Sequence, residues 1–252
     1  MRILLTNDDG IHAPGIHAAY RTLSQIGEVY MVAPERPRSA AGHAITLHKP
    51  LRLSEMSFSD NIKGWACSGT PTDCVTLGYD IVMQSQCDLV VSGINAGANL
   101  GWDITYSGTV SAAMEGAVLG MPAIAISVAS VHENRTIDYA AAAEFVAIVA
   151  QKLLSDPLPV HDLLNINVPN IPKSEIKGVR VTLTGKREYI DRIIVREDPA
   201  GRPYYWQAGQ IKDTTEQDTD VHAILEGYIS ISPLQLDMTA YKELIRIKKW
   251  GL

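Results

Sequence analysis

No stretch of this chain is long and apolar enough to suggest a membrane span. The most apolar segments, residues 118–131 and 140–150, are interrupted by Pro122 and Glu144, and both fall short of the roughly 20 apolar residues that a crossing helix needs. The opening apolar run meets acids after a few residues, so no secretory leader is expected. Basic charge is scarce too, with 22 Lys and Arg against 28 Asp and Glu and a net charge of −6. A nucleic-acid polymer needs a basic footprint and is excluded as a partner, whereas a small anion needs only one local positive site. Cysteine is limited to Cys67, Cys74 and Cys87. An odd number without metal-type spacing reads as reduced core thiols in a cytoplasmic protein. Also missing are a Walker loop, a Gly-x-Gly-x-x-Gly dinucleotide fingerprint, a nucleophile elbow and a zinc-ligand set. Their absence disfavours those nucleotide folds and an acyl or amide hydrolase.

What is present is organised around the first ten residues. Ile3, Leu4 and Leu5 do not alternate with polar residues, the pattern of a strand covered on both faces in a parallel sheet. The run delivers Asn7-Asp8-Asp9-Gly10 to the strand's carboxyl end, where such sheets bind ligands. At a glycine-containing turn two neighbouring carboxylates can swing toward one point, and there they repel unless protonated or bridged by a cation. An ordinary turn, with Asx side chains bonding local amides, accounts for the same residue types, so supporting ligands must be sought elsewhere.

A helix over residues 14–23 and a strand over 28–33 complete a right-handed βαβ unit. This sets the segment from Glu35 to His43, which contains Arg36, Arg38 and Ser39, beside Asp8 and Asp9. Residues 44–53 read as extended, with Pro50 marking an edge or bend. Thr70, Pro71 and Asp73 suit the N-cap and first turn of a helix running to about residue 83. A buried strand over 88–93 leads into a loop with Asn95, Gly97, Asn99 and Gly101. Ser107-Gly108-Thr109 then opens a helix over 110–119, a place where free amides and the helix dipole favour an anion, although a plain cap has the same composition. A strand over 122–128, a helix over 138–154 and a strand over 163–168 continue the alternation of a doubly wound α/β sheet. Beyond residue 175 the pattern changes to short strands over 179–184, 190–196, 204–207 and 228–232 and a helix over 241–250. We therefore divide the chain into a catalytic core, 1–175, and a β-rich extension, 176–252, whose Tyr204, Tyr205 and Trp206 suit subunit contact in a homo-oligomer.

The winding rules bring the three loops to one edge of the sheet. There Asp8, Asp9, the Ser39 hydroxyl and the Asn95 amide oxygen make an all-oxygen set, which selects Mg²⁺, Mn²⁺ or Ca²⁺ over zinc. With two charged ligands the ion keeps positive charge and attracts a phosphate monoester. Ser107, Gly108 and Thr109 supply donors for the transition state, and water activated by the metal or by Asp8 or Asp9 attacks phosphorus. A phospho-aspartate route is disfavoured because its acids are typically spaced Asp-x-Asp. Asn7 and Asn99 read as substrate contacts or supports. His12, His17 and His43 read as structural hydrogen-bonding residues, while Arg36 and Arg38 divide between phosphate contact and solvated charge.

Taken in order, Asn7-Asp8-Asp9-Gly10, the loop of residues 34–39, Ser68-Gly-Thr-Pro-Thr-Asp73, Ser92-Gly-Ile-Asn-Ala-Gly97, Tyr106-Ser-Gly-Thr109 and Glu226-Gly-Tyr-Ile-Ser-Ile-Ser-Pro-Leu234 resemble the stationary-phase survival protein SurE family over nearly the whole chain. The resemblance implies a Rossmann-like three-layer α/β/α fold with a mostly parallel sheet and a C-terminal extension exchanged between subunits of a homodimer or homotetramer. It also implies a nucleoside 5′-monophosphate phosphatase, acting also on 3′-nucleotides and short polyphosphates. One Mg²⁺ or Mn²⁺ per subunit would sit on Asp8, Asp9, Ser39 and Asn95. The family's Asp-Arg-Asn-Arg-Ser-Gly loop is here Glu35-Arg36-Pro37-Arg38-Ser39-Ala40, so Pro37 removes an amide donor and Ala40 narrows backbone freedom. A nucleotide-binding stress protein that senses without hydrolysis is the alternative.

Overall fold

The opening apolar run forms strand β1 (Arg2–Thr6), in which Ile3, Leu4 and Leu5 are fully buried. A computed structural model describes residues 1–59, 62–130, 136–190, 193–207, 209–213 and 216–251. Helix α1 (Pro14–Leu23) starts on its proline and returns the chain to β2 (Glu28–Pro34), parallel to β1 with Ile3 opposite Val29. Then β3 (Leu53–Ser57) pairs antiparallel with β4 (Lys63–Cys67), which lies parallel beside β2. Helix α2 (Pro71–Leu77) is opened by a capping box in which Thr70 and Asp73 satisfy each other's amides, removing two of the orphan donors of a helix start. The chain continues through β5 (Leu89–Ala96), α3 (Gly108–Val118), β6 (Ala123–Ala129), α4 (Ala140–Ser155) and β7 (Asp162–Pro169).

After β7 come β8 (Val179–Val181), β9 (Arg187–Ile190), β10 (Ile193–Glu197), β11 (Pro203–Gln207), β12 (Gln210–Asp213), α5 (Asp220–Leu225), β13 (Ile229–Gln235) and α6 (Tyr241–Ile247). Two small antiparallel ribbons, β10 with β11 and β9 with β12, stand apart from the main sheet.

The main sheet has nine strands in the order β3-β4-β2-β1-β5-β6-β7-β13-β8. From β1 the chain winds outward through β2 to β4, then crosses back to lay β5 on the other side of β1 and winds outward through β6 and β7. The reversal makes the β1/β5 boundary a topological switch point, with a crevice at its carboxyl end. On one face α1 and α4 cover Ile3, Leu5, Val91 and Ile126, and on the other α2 and α3 cover Leu4, Val32, Val90 and Ala125. Burying each large aliphatic side chain contributes about 1.5–3 kcal/mol. Helix α3 lies close because it is built of small residues: a Cβ on Gly116 would stand 2.8 Å from that of Val90.

The fold is the expected α/β sandwich of three layers, mostly parallel, with additional antiparallel ribbons near the C-terminus. Some of its details differ from expectation. The strand expected at 88–93 runs on to Ala96, with a register shift between Ser92 and Asn95 opposite β6, so Asn95 lies on a strand end and not in a loop. Of the extended segment expected at 44–53, only Leu53 enters a strand. Residues 191 and 192 of the strand expected at 190–196 lie outside the described residues, as does Val131 of the apolar stretch at 118–131. Finally, β13 pairs antiparallel with β7 and parallel with β8, so the main sheet extends across the division drawn at residue 175. Among the described residues no helix is long and apolar enough to cross a membrane.

Asp220 at the start of α5 binds the C-terminal region to the core. Its fully buried carboxylate accepts the amides of Gly101, Gly185 and Val221, each at 2.8 Å. Asp220→Ala would strand these donors at about 1–3 kcal/mol apiece. We expect at least ~3 kcal/mol less unfolding free energy in urea, and a loss below ~1 kcal/mol would show that the carboxylate does not hold these segments.

Candidate active site

At the end of β1 the backbone turns through a loop closed by Asn7. Its fully buried side chain donates to the Gly10 carbonyl at 2.9 Å and accepts the Gly10 amide at 3.1 Å. Gly10 has φ +94°, and a Cβ there would press within 3.2 Å of the Arg36 backbone, so only glycine lets the following loop lie this close. The turn chemistry weighed against metal binding is therefore realised, chiefly by Asn7, while Asp8 and Asp9 also bond beyond the turn.

Asp8 turns toward α3. Its Oδ1 accepts the Thr109 hydroxyl at 2.5 Å, and its main-chain carbonyl accepts the Arg38 amide at 2.8 Å. The absent side chain of Gly108 makes the room, since a Cβ there would lie 2.8 Å from that of Asp8. Asp9 turns toward β5, where its Oδ2 accepts the Ala96 amide at 2.9 Å. Burial, and then the neighbouring Asp9 charge, push the Asp8 carboxyl above the usual carboxylate range, against the pull of the Thr109 hydrogen bond.

Asn95, at the end of β5, donates its amide nitrogen to the Gly97 carbonyl at 2.8 Å, which leaves its carbonyl oxygen for another partner. Ser39 is exposed, on the loop that the Arg38 amide ties to Asp8. Ala40 beside it holds φ +54°, a left-handed conformation that glycine adopts without strain. Arg38 donates to the Ser68 carbonyl at 3.1 Å and Arg36 pairs with Glu35 at 2.8 Å. The structure thus gathers Asp8, Asp9, Asn95 and the Ser39 loop at the switch point, with Ser107, Gly108 and Thr109 behind Asp8. Ser107 caps α3 by accepting the Val110 amide at 3.1 Å, and Thr109 spends its hydroxyl on Asp8.

Asn99 is not brought to this surface. It is buried, its Nδ2 donating to Ser127 Oγ at 2.7 Å while its main-chain amide and carbonyl are taken by Asn167 and Asn165. Among the histidines, His17 meets the Ile11 carbonyl at 2.9 Å and His43 meets Glu115 at 2.8 Å.

On the far side of Asp9 opens a cavity of about 390 Å³, lined by Gly10, His12, Pro14, Glu35, Arg36 and Tyr139 among others. Tyr139 carried no local signal in the sequence, because it reaches the site from the start of α4 across α1.

Among the described residues no three His, Cys, Asp or Glu side chains gather to hold a metal. The oxygens at the switch point fit a hard cation instead. They comprise two carboxylates, an amide carbonyl and a nearby hydroxyl. In the metal-free protein the raised Asp8 pKa means that the folded state holds this proton more tightly than the unfolded chain. The cost of ionising it grows as pH rises from 3.8 through the folded value and is constant above. Asp8→Asn is therefore expected to raise the melting temperature of metal-free protein at neutral pH, with the difference vanishing toward acid. A lower melting temperature at neutral pH would contradict it.

A family model described as Survival protein SurE matches residues 3–191. The "5'-nucleotidase SurE" of Moorella thermoacetica is 49% identical, the match covering 96% of this chain and 92% of that protein. That of Heliobacterium modesticaldum is 46% identical over 99% of this chain and 92% of its own length. The crystal structure of SurE from Aquifex aeolicus superposes with a TM-score of 0.86 at 43% identity, each chain covered in full. With a family match over three quarters of its length, relatives this similar end to end, and the same fold, this chain belongs to the SurE family.

Proposed function

We propose that this chain is a divalent-metal-dependent phosphatase that hydrolyses nucleoside 5′-monophosphates, and also 3′-nucleotides and short polyphosphates. The observation that carries the reading is the placement of Asp8 and Asp9 at the β1/β5 switch point, beside the start of α3. The relatives named 5′-nucleotidase SurE support it.

In this reading Asp8, Asp9, Asn95 and Ser39 would hold one Mg²⁺ or Mn²⁺ per subunit. Such an ion neutralises non-bridging phosphate oxygens and lowers the pKa of water. The chain's own groups do the rest. Thr109 fixes the Asp8 carboxylate in one orientation. The positive end of the α3 dipole, with the Ser107 hydroxyl, faces the negative charge on the phosphoryl oxygens. Asp8 or Asp9 orients a water and takes one of its protons as the water oxygen bonds to phosphorus and the phosphorus–ester bond breaks, and that proton passes to the departing alkoxide to leave an alcohol and inorganic phosphate. Asn7 and Asn99 act from behind, by shaping the turn and the floor. Phosphate release from nucleoside monophosphates should cease with a chelator and return with Mn²⁺ or Mg²⁺. Asp9→Asn should lower turnover by roughly 10²- to 10³-fold while leaving the fold intact. Full turnover in the chelator, or wild-type turnover in Asp9→Asn, would overturn the assignment.

We place the protein in the cytoplasm, in keeping with its three free thiols. We also propose a homodimer or homotetramer joined through the ribbons and α6. Ile193, Ile194, Val195, Tyr205 and Trp206 are exposed there, with Leu244, Ile245 and Trp250, more apolar surface than a monomer usually leaves in water. Sedimentation should give a stable oligomer, and a monomer at micromolar concentration would refute it.

A further inference from the structure

Resting on the phosphatase reading, we propose that the cavity on the far side of Asp9 receives the nucleoside of the substrate, with Tyr139 and His12 as the walls that grip it. Three observations point there. The first is direction. The helix start that suits the phosphate lies on the Asp8 side, where Thr109 meets Asp8, whereas Asp9 turns the other way toward Ala96. An ester seated at the strand ends with its phosphate toward α3 therefore projects its organic part over Asp9 and into the cavity.

The second observation is charge. Asp9 and Glu35 line the cavity, and its one guanidinium, Arg36, is already paired with Glu35 at 2.8 Å. With Asp9 given to the ion, such a lining offers a phosphate no unpaired cation and suits the uncharged part of the molecule. The third is shape and surface. A volume of about 390 Å³ lies in the lower part of the range for small-ligand sites, roughly 300–1,000 Å³, enough for one nucleoside. Its walls carry flat groups held in place. The Tyr139 ring packs on α1 where Gly15 has no side chain, a Cβ there falling 2.9 Å from the ring. The His12 ring is braced edge-on against Phe58 with centroids 5.5 Å apart. Rings held in place in the lining suit stacking on a nucleobase, while Glu35 and Arg36 in the same lining offer an acceptor and a donor to its edge or to the ribose.

The test compares adenosine 5′-monophosphate with glycerol 3-phosphate, which has the ester and no base, in the full-length protein with Mn²⁺. Tyr139→Ala removes a wall. Ala13→Phe fills the cavity from the start of α1, where Ala13 lines it and makes no side-chain cap. Each variant should lower kcat/KM for the nucleotide on the order of tenfold to a hundredfold, chiefly through KM, and leave glycerol 3-phosphate within about twofold. Parallel losses on both substrates in both variants, or no loss on the nucleotide in either, would overturn the proposal while the phosphatase reading stands. A wild-type protein that hydrolyses neither ester would instead overturn the phosphatase reading.

Discussion

Asp8 and Asp9 are consecutive, and two like charges at that spacing cost free energy wherever burial removes the water that would screen them. Much of the architecture can be understood as the handling of this cost. One carboxylate is sent into α3 and held by a hydroxyl, the other onto the end of β5 and held by an amide. This separation needs a strand end open on both sides, which the β1/β5 reversal provides, and it needs glycine twice. Gly10 turns the chain away through a left-handed conformation, and Gly108 lets a helix start come against the Asp8 side chain. The small residues of α3 belong to the same requirement, since a helix kept at the usual distance from the sheet would not reach Asp8.

Behind the carboxylates asparagine side chains tie off much of the backbone. Asn7 closes its own turn, and the Asn99, Asn165, Asn167 and Ser127 cluster fixes the floor behind the crevice. Buried amides satisfied in this way are rigid, because each broken contact leaves a desolvated donor or acceptor. The loop carrying Ser39 is held differently. Its main chain is tied at Arg38, its Arg38 side chain reaches the β4 end, and further on Thr46 is bound by Asp73 at 2.6 Å. Further ties run from Gly42 to the Tyr106 carbonyl and from His43 to Glu115, and between them and Arg38 the Ser39 and Ala40 residues stay exposed.

Local signals made much of this legible in advance. The unbroken apolar run of β1, Pro14 at the start of α1, the Thr70/Asp73 box and the small residues of α3 each act within a few positions, and the elements they specify are present. Features that depend on distant pairing were not legible. Strand β4 has Gly64 and Trp65 in place of an aliphatic run, and becomes a strand because β2 and β3 flank it. The Gly and Asn residues at the end of β5 are turn formers and predict a loop, yet pairing with β6 extends the strand past a register break. Asn7 and Asn99 show a different limit. An asparagine at a strand end has the same composition whether its amide faces a ligand or its own backbone, and only the completed hydrogen-bond pattern tells the two apart.

The position of β13 has a consequence for how the molecule comes into being. It follows both β7 and β8 in the chain, yet it lies between them in the sheet. While the polypeptide leaves the ribosome, β7 presents a bare row of backbone donors and acceptors until residues 229–235 arrive, and β8 has nothing to join. Such an edge is sticky toward other strands. Closure of the sheet on this side thus waits for residues 229–235, and a nascent chain halted short of them would carry β7 as an unprotected flank.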